Sequence, residues 1–182
     1  MSGGRAAIPR AVLFDRDGTL VEDVPFNGDP GRVRPLPGAR RALGLLRGRG
    51  VRVGVVTNQS GVARGLLSMA QVGRVNARVE RLLGPFDVWA VCPHGPADGC
   101  DCRKPAPGLI LRAARELGVR CADCAVVGDI GGDLAAASAA GARGVLVPTP
   151  VTRPEEVARA ECRAPDLLGA VRLLLDGGGE PR

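Results

Sequence analysis

The chain has 182 residues and a net charge of +6, with a pI of about 9.5. This length predicts one domain, residues 1–182, that is large enough to bury a hydrophobic core. Three Phe, one Trp and no Tyr leave the core to Leu, Val and Ala and offer few rings for stacking on bases. The arginines are scattered rather than clustered, so no nucleic-acid partner is expected.

The sequence also argues against secretion and membrane insertion. No stretch approaches the ~18 apolar residues of a membrane span, and residues 1–10 lack the apolar centre of a secretory signal. We therefore expect a cytoplasmic protein with no membrane partner, and we favour a monomer. In that compartment the six cysteines favour metal binding or free thiols over disulfides.

Apolar runs alternate with helical periodicities along the chain. Strands are predicted over residues 11–15, 51–56, 86–92, 124–128 and 144–147, and helices over 38–50, 68–83, 107–117, 133–140, 154–160 and 166–175. Residues 1–9 are predicted to be a loose lead-in, 21–37 an irregular excursion and 177–182 a flexible tail. This alternation predicts an α/β fold, with a doubly wound, mostly parallel sheet and helices on both faces.

Two aspartates follow directly on the first strand. Asp15 and Asp17 lie at the carboxyl end of a buried parallel strand, where open α/β sheets place their ligands. Close carboxylates repel each other and need a cation, a proton or a turn that separates them. A divalent metal would meet that need and leave one carboxylate to attack a phosphorus atom. A simple turn after a core strand is the alternative.

Polar residues also follow two other predicted strands. Thr57 and Asp129 each come directly after an apolar run. The carboxyl ends of parallel strands meet at one edge of the sheet, so these side chains can converge with the first two aspartates. The alternative for Thr57 is an ordinary strand-to-helix turn.

Four segments in this order resemble the haloacid dehalogenase (HAD) superfamily of phosphohydrolases. The resemblance covers about residues 11–148 and implies a Rossmann-like core. It also implies a reaction through an aspartyl-phosphate intermediate. Hydrolysis of a phosphate monoester is among the slowest biological reactions, and a catalyst must lower its barrier by ~20 kcal/mol. The covalent intermediate divides that reaction into two easier steps. The segments span residues 15–20, 57–61, 103–105 and 128–133.

The same resemblance implies a role for each matching residue. Asp15 would be the nucleophile and Asp17 the general acid and base. Lys104 would neutralise the transferring phosphoryl group, with Thr57 and Asn58 hydrogen-bonding to it. Mg²⁺ would be bound by Asp15, Asp129 and the backbone carbonyl of Asp17. Asp133 would orient Lys104 or a metal-bound water.

A second pattern indicates a zinc site. Cys92, His94, Cys100 and Cys102 form a Cys₃His set within a loop over residues 92–102, a composition that favours tetrahedral Zn²⁺. Four protein ligands leave no open position, so the zinc is interpreted as structural. Free loop thiols are the alternative. The remaining cysteines, Cys121, Cys124 and Cys162, are interpreted as incidental.

A zinc loop directly before Arg103-Lys104-Pro105 resembles one subgroup of the superfamily, the heptose-bisphosphate and histidinol-phosphate phosphatases. That subgroup lacks a large cap domain, as this chain does. The resemblance implies that Arg103 binds the distal anionic group of the substrate. The residues it implies for substrate binding are Asp23, Val24, Pro25, Phe26, Thr57, Asn58, Gln59, Ser60, Arg103 and Lys104. Ile130 departs from the subgroup, which usually has a basic residue there.

The resemblance thus implies a Mg²⁺-dependent phosphomonoesterase acting on a small phosphorylated sugar. The favoured substrate is D-glycero-D-manno-heptose 1,7-bisphosphate, cleaved at its 7-phosphate. Histidinol phosphate is the first alternative and a polynucleotide 3′-phosphate the second. A binding module without catalysis is disfavoured, because it would lack one of Asp15, Asp17, Lys104 and Asp129.

Overall fold

A computed structural model of the chain describes residues 7–177. The predicted lead-in up to residue 6 and the predicted flexible tail beyond Gly177 lie outside the described residues. The strands are β1 (Ala11–Phe14), β2 (Arg52–Asn58), β3 (Val88–Cys92), β4 (Cys124–Gly128) and β5 (Arg143–Leu146). The helices are α1 (Ala39–Gly48), α2 (Met69–Leu83), α3 (Gly108–Leu117), α4 (Gly131–Ala140), α5 (Pro154–Arg159) and α6 (Leu167–Leu175), and 3₁₀ turns span Pro30–Arg32 and Cys121–Asp123.

The five strands form one parallel sheet in the order β3-β2-β1-β4-β5. β1 is central, and Phe14 pairs with Val55 on one side and Val127 on the other. The order of the strands reverses at β1: β2 and β3 are added on one side of it, and β4 and β5 on the other. Doubly wound sheets form their ligand crevice at such a reversal. The predicted fold class is therefore confirmed.

Helices cover both faces of the sheet. Alternate side chains of β1 point to opposite faces, so Val12 and Phe14 lie in one hydrophobic cluster and Ala11 and Leu13 in the other. Helices α1, α2 and α6 contribute to the first cluster and α3 and α4 to the second. Leu, Val and Ala dominate both clusters, as the scarcity of aromatic residues predicts.

Several predicted boundaries were wrong by one or two residues. β2 continues through Thr57 and Asn58, because both pair with β3, so these residues end the strand instead of following it. β3 begins at Val88, not at residue 86. α4 begins at Gly131, two residues before the predicted start. A capping box begins α2, since Ser68 and Gln71 exchange hydrogen bonds.

The longest connection within the described residues runs over 15–38, between β1 and α1. It contains the predicted irregular excursion, whose only helical part is the 3₁₀ turn Pro30–Arg32. This segment is too short to fold as a cap domain of its own. None of the helices in the described part of the chain is long and apolar enough to cross a membrane.

Candidate active site

A cavity of about 310 Å³ lies at the carboxyl edge of the sheet, over the ends of β1, β2 and β4. It brings together the predicted catalytic, magnesium-binding and substrate-binding residues, whose chemical roles stay predictions. These residues are Asp15, Asp17, Asp23, Val24, Pro25, Phe26, Thr57, Asn58, Gln59, Ser60, Arg103, Lys104, Asp129 and Asp133.

Lys104 is the central cation of this cavity and the only lysine in the chain. Its Nζ donates to Asp15 Oδ1 at 2.7 Å, to Asp133 Oδ1 at 2.5 Å and to the carbonyl oxygen of Val56 at 2.9 Å. An ammonium group has three protons, so all of them are used. The charge of Lys104 is therefore fixed beside Asp15, while Asp15 Oδ2 has no hydrogen-bond partner among residues 7–177.

Burial and neighbouring charges have opposing effects on the pKa values of Asp15 and Lys104. It raises the pKa of Asp15 to about 8, against the opposing effect of Lys104 and with further contributions from Asp133 and Asp17. Burial alone would lower the pKa of Lys104, but the charges of Asp15 and Asp133 outweigh it and raise that pKa. Lys104 thus stays charged, and Asp15 needs additional positive charge to ionise fully.

Asp129 lies against the loop that follows β1. Its carboxylate is so close to Gly18 that a Cβ at that position would collide with it, and Gly18 also has a φ of +78°, which favours glycine. Thr19 Oγ1 donates to Asp129 Oδ1 at 3.5 Å, and Thr152 Oγ1 donates to its carbonyl oxygen at 2.7 Å. Burial, aided by Asp133, raises the pKa of Asp129 to about 7.

Asp133 links Lys104 to the start of α4. One of its oxygens accepts from Lys104, and the other accepts from the backbone N–H of Ile130 at 3.3 Å. A Cβ at Gly128 would overlap the Asp133 carboxyl group, so glycine is required for this approach. The helix start and the Lys104 ammonium therefore hold Asp133 in one orientation.

The carboxylate of Asp17 is held from two sides. Arg16 donates to it through Nε and Nη2, at 3.0 and 2.8 Å, and Gln59 Nε2 donates to it at 2.9 Å. The same Gln59 nitrogen lies 2.9 Å from Thr57 Oγ1. Gln59 thus connects two of the predicted catalytic residues from a buried position on the cavity wall.

Asn58 holds the backbone of Lys104. Its Nδ2 donates to the Lys104 carbonyl oxygen and its Oδ1 accepts from the Lys104 N–H, both at 3.1 Å. This two-way contact joins the end of β2 to the segment after the zinc loop. The structure directs the Asn58 amide group at Lys104, and its predicted contact with a phosphoryl group stays a prediction.

The cavity carries more negative than positive charge. Five aspartates and three basic residues line it, and one basic residue, Arg16, is already paired with Asp17. Buried carboxylates with raised pKa values and an excess of negative charge are a ligand set suited to a hard divalent cation. The residues present therefore fit Mg²⁺, as the sequence predicted. The lining charged residues are Asp15, Asp17, Asp23, Asp129, Asp133, Arg16, Arg103 and Lys104.

The outer part of the cavity is largely apolar. Phe26, Ile130 and Val151 are 43%, 42% and 73% exposed and all line it. Phe26 has a φ of +50°, uncommon for a residue other than glycine. The guanidinium of Arg64 lies 5.0 Å from the centre of its ring. Arg64 does not itself line the cavity, and neither do the two other arginines of this region, Arg32 and Arg34.

The predicted zinc ligands form one cluster, in which all four ligand atoms lie within 4.8 Å of one another. A zinc–sulfur distance of about 2.3 Å would place the sulfurs of a tetrahedral site about 3.8 Å apart. The sulfurs of Cys92, Cys100 and Cys102 are 3.0 to 3.8 Å apart, and His94 Nδ1 lies 3.2 Å from Cys102 Sγ. This cluster could hold a tetrahedral metal ion.

The cysteine cluster also contacts Arg103. The Arg103 N–H donates to Cys100 Sγ at 3.4 Å, and its Nη1 donates to the His94 carbonyl oxygen at 3.3 Å. Arg103 lines the cavity and precedes Lys104 directly. The cluster therefore helps to position Arg103, the residue directly before Lys104.

Sequence reasoning missed three contributions to the site. Arg16 lies inside the first motif, yet it was given no role, although a basic residue between two aspartates is a visible signal. Val151 comes from the loop after β5, and Asn76 reaches Arg16 from α2 across 60 positions. Neither Val151 nor Asn76 follows from a local pattern.

Comparison with known proteins supports the same family over most of the chain. The family model described as haloacid dehalogenase-like hydrolase matches residues 12–89, and a HAD-hydrolase-like model matches 101–172. The D-glycero-beta-D-manno-heptose-1,7-bisphosphate 7-phosphatase of Pseudomonas aeruginosa is 38% identical over 143 residues, 76% of this chain and 80% of the relative. The enzyme of the same name from Bordetella bronchiseptica is 39% identical over 77% of this chain and 81% of its own.

A solved structure is similar across nearly the whole fold. The D,D-heptose 1,7-bisphosphate phosphatase of B. bronchiseptica, complexed with magnesium and phosphate, superposes with a TM-score of 0.81 and 34% identity. The alignment covers 91% of this chain and 97% of that one. The resemblance drawn from the four segments and the zinc loop is thereby confirmed, and the chain belongs to the haloacid dehalogenase-like hydrolases.

Proposed function

We propose that this chain is a Mg²⁺-dependent phosphomonoesterase that acts through an aspartyl-phosphate on a small sugar phosphate. The favoured substrate is D-glycero-D-manno-heptose 1,7-bisphosphate, cleaved at its 7-phosphate. The observation that carries the proposal is the pair of buried salt bridges that Lys104 makes with Asp15 and Asp133 within the charged cavity. Relatives named as phosphatases of this sugar support it.

Asp15 is the nucleophile in this proposal. Lys104 holds Oδ1, which leaves Oδ2 to attack the phosphorus atom. The new bond joins Oδ2 to phosphorus, the bond from phosphorus to the sugar oxygen breaks, and its electrons stay on that oxygen. Lys104 remains beside the transferring group and stabilises the charge on its oxygens.

Asp17 moves the proton in both steps. In the first it donates a proton to the departing sugar oxygen, and in the second it takes a proton from the water that attacks the aspartyl-phosphate. That water forms the new bond to phosphorus, inorganic phosphate leaves, and Asp15 is restored. The contacts with Arg16 and Gln59 keep Asp17 at the cavity wall for both transfers.

Asp15, Asp129 and the backbone carbonyl of Asp17 would hold Mg²⁺. Bound there, the ion would supply positive charge to the phosphoryl oxygens and lower the repulsion between substrate and carboxylates. The charge excess of the cavity and the raised pKa values of Asp15 and Asp129 support this assignment. A relative was crystallised with magnesium and phosphate.

Cys92, His94, Cys100 and Cys102 would hold a structural Zn²⁺. Four protein ligands leave no position for substrate or water. Bound there, the ion would lock the loop whose Cys100 and His94 contact Arg103. Arg103 then faces the distal end of the substrate, where its planar fork suits a phosphate.

A cytoplasmic monomer stays our prediction for this enzyme.

Arg103 in the cavity wall and the named relatives favour the sugar bisphosphate over the alternatives. Histidinol phosphate carries a cationic amine, and among residues 7–177 Asp23 is the one cavity-lining carboxylate without a proposed catalytic, metal-binding or supporting role, since Asp29 accepts from Gly31 and does not line the cavity. A polynucleotide would bring several further phosphates, whereas Arg103 is the one cavity-lining basic residue within residues 7–177 that has no carboxylate partner. The exposed Ile130 weakens the grip on a second phosphate, so this position bears on substrate choice.

The test compares three kinds of substrate with one preparation of enzyme. Phosphate release is measured with Mg²⁺ for both anomers of heptose 1,7-bisphosphate, for histidinol phosphate and for a single-stranded DNA bearing a 3′-phosphate. We expect the highest kcat/KM with the sugar bisphosphate and no competition by single-stranded DNA at low salt. A higher kcat/KM for histidinol phosphate would overturn the substrate assignment and leave the reaction class intact.

A further inference from the structure

Arg16 is the largest fully buried side chain among the described residues, with 1% of its surface exposed. A buried guanidinium is costly unless its donors are paired. Two of its nitrogens, Nε and Nη2, bind the two oxygens of Asp17. The third, Nη1, donates to Asn76 Oδ1 at 2.7 Å. Arg16 thus connects a helix of the core to the carboxylate of Asp17.

The position of Asn76 is set by the packing of α2. Its neighbour Val75, and Val79 one turn later, are buried in the hydrophobic cluster that contains Val12 and Phe14 of β1. The helix start is fixed by the capping box of Ser68 and Gln71. Asn76 therefore offers its Oδ1 to Arg16 from a rigid helix. A partner on a rigid element restricts the orientation of a long, flexible side chain such as that of Arg16.

The geometry of Asp17 shows what this contact can do. Its carboxylate accepts two hydrogen bonds from Arg16 on one side and one from Gln59 on the other. The Gln59 contact comes from the end of β2, whereas the Arg16 contact depends on α2 through Asn76. Without Asn76, one donor of a buried arginine loses its partner, and the arginine can shift with Asp17 attached.

We infer that Asn76 is a positioning residue that holds Arg16, and through it aims the Asp17 carboxylate at the leaving oxygen of the substrate. This inference rests on the proposed function, in which Asp17 protonates that oxygen. Asn76 lies outside the cavity wall and touches no reacting atom. Its effect is confined to the proton transfer and does not extend to binding of the phosphoryl group.

The leaving group separates this role from a merely structural one. A sugar alkoxide is a poor leaving group and needs the proton of Asp17, whereas p-nitrophenolate departs without one. A misplaced Asp17 therefore slows cleavage of the sugar phosphate more than cleavage of p-nitrophenyl phosphate. The quantity kcat/KM reports the first phosphoryl transfer, so the later hydrolysis step does not mask the difference.

The experiment measures kcat/KM of Asn76→Ala with heptose 1,7-bisphosphate and with p-nitrophenyl phosphate. We expect a loss of about tenfold or more with the sugar phosphate and less than about twofold with the aryl phosphate. Asn76→Asp keeps an oxygen acceptor for Arg16, so it should restore the ratio of the two values towards that of the unmodified enzyme. Alanine is a good helix former, so α2 is expected to stay folded.

Two further variants decide the interpretation. Val75→Ala weakens the packing of the same helix and keeps Asn76, the hydrogen-bond partner of Arg16, so it should lower the melting temperature without changing the substrate ratio. Equal losses on both substrates in Asn76→Ala, or a changed ratio in Val75→Ala, would overturn the inference. Asp17→Asn must itself show the leaving-group effect: if it does not, the proposed role of Asp17 fails, and if it alone does, only the role of Asn76 fails.

Discussion

The inner and outer halves of the cavity are built differently. In the inner half, Lys104 spends all three donors on Asp15, Asp133 and a backbone carbonyl. In the outer half, Phe26 and Ile130 present about two fifths of their surface to solvent. The first half is fixed by several contacts for each group, and the second is shaped by side chains with few polar partners.

This difference separates the reaction from the choice of substrate. Phosphoryl transfer depends on charges held in place before the reaction begins, so each inner residue is tied to several elements of the fold. Recognition of the distal end depends on exposed side chains, which can change without disturbing the core. Substitutions should therefore cause large losses in turnover inside and small changes in selectivity outside.

The largest effect should follow from Asp15→Asn. An amide cannot serve as the nucleophile, so kcat should fall by at least about 10⁴-fold. The matched control is the same chemical change at Asp23, which lines the cavity without a proposed catalytic or metal-binding role, and it should alter KM and leave kcat within about threefold. Steady-state phosphate release measures both, and circular dichroism checks that they fold. Turnover by Asp15→Asn close to that of the unmodified enzyme would refute the mechanism.

The next largest effect should follow from Lys104→Arg, which keeps the charge and changes its shape. A planar guanidinium cannot direct three donors at Asp15, Asp133 and the Val56 carbonyl as an ammonium does. We expect kcat to fall by about 10²- to 10³-fold. Arg115→Lys, an exposed exchange on α3, should have no effect. Near-normal turnover in Lys104→Arg would show that charge alone suffices.

The inner half was largely predictable from the sequence. Asp15 and Asp129 each follow a short apolar run, and the parallel arrangement of the strands brings their carboxyl ends together without further information. The Cys₃His cluster was predictable for a similar reason, since its four residues lie within eleven consecutive positions. Patterns that are local, or that repeat at strand ends, can be recognised in one sequence.

Other parts of the site depend on packing that no local pattern encodes. Asn76 reaches Arg16 because α2 lies over the same face of the sheet as the first loop. The Asn58 amide turns towards the backbone of Lys104, a contact across 46 positions. The extension of β2 through Thr57 and Asn58 depends on pairing with β3. Such contacts follow only from the assembled fold.

Loss of the Cys₃His cluster, our proposed zinc site, should have an intermediate effect, because the cluster lies outside the cavity but contacts Arg103. Cys102→Ser should reduce the metal content from about one zinc per chain to nearly none and lower kcat/KM by about 10- to 100-fold, mainly through KM. Elemental analysis and steady-state kinetics measure these changes. Cys121→Ser lies outside the cluster and should retain metal and activity. Full activity in zinc-free Cys102→Ser would show that the cluster is not needed to position Arg103.

The smallest effect should come from Ile130→Lys in the outer half. A lysine there adds positive charge to the cavity that Arg103, our proposed ligand of the distal phosphate, also lines. Exposed charge pairs contribute about 0.5–1 kcal/mol, so kcat/KM for the sugar bisphosphate should rise about two- to fivefold relative to the corresponding 7-monophosphate. Added salt should reduce this gain, because solvent-exposed charges are screened.

Leu111→Lys is the matched control for this prediction. Leu111 is as exposed as Ile130, at 41%, and lies on α3 away from the cavity wall, so the variant gains the same charge at a different place. A preference that shifts in Ile130→Lys and not in Leu111→Lys assigns selectivity to this wall. Equal shifts in both would mean that the net charge of the protein steers the substrate, and the outer half would then have no selective role.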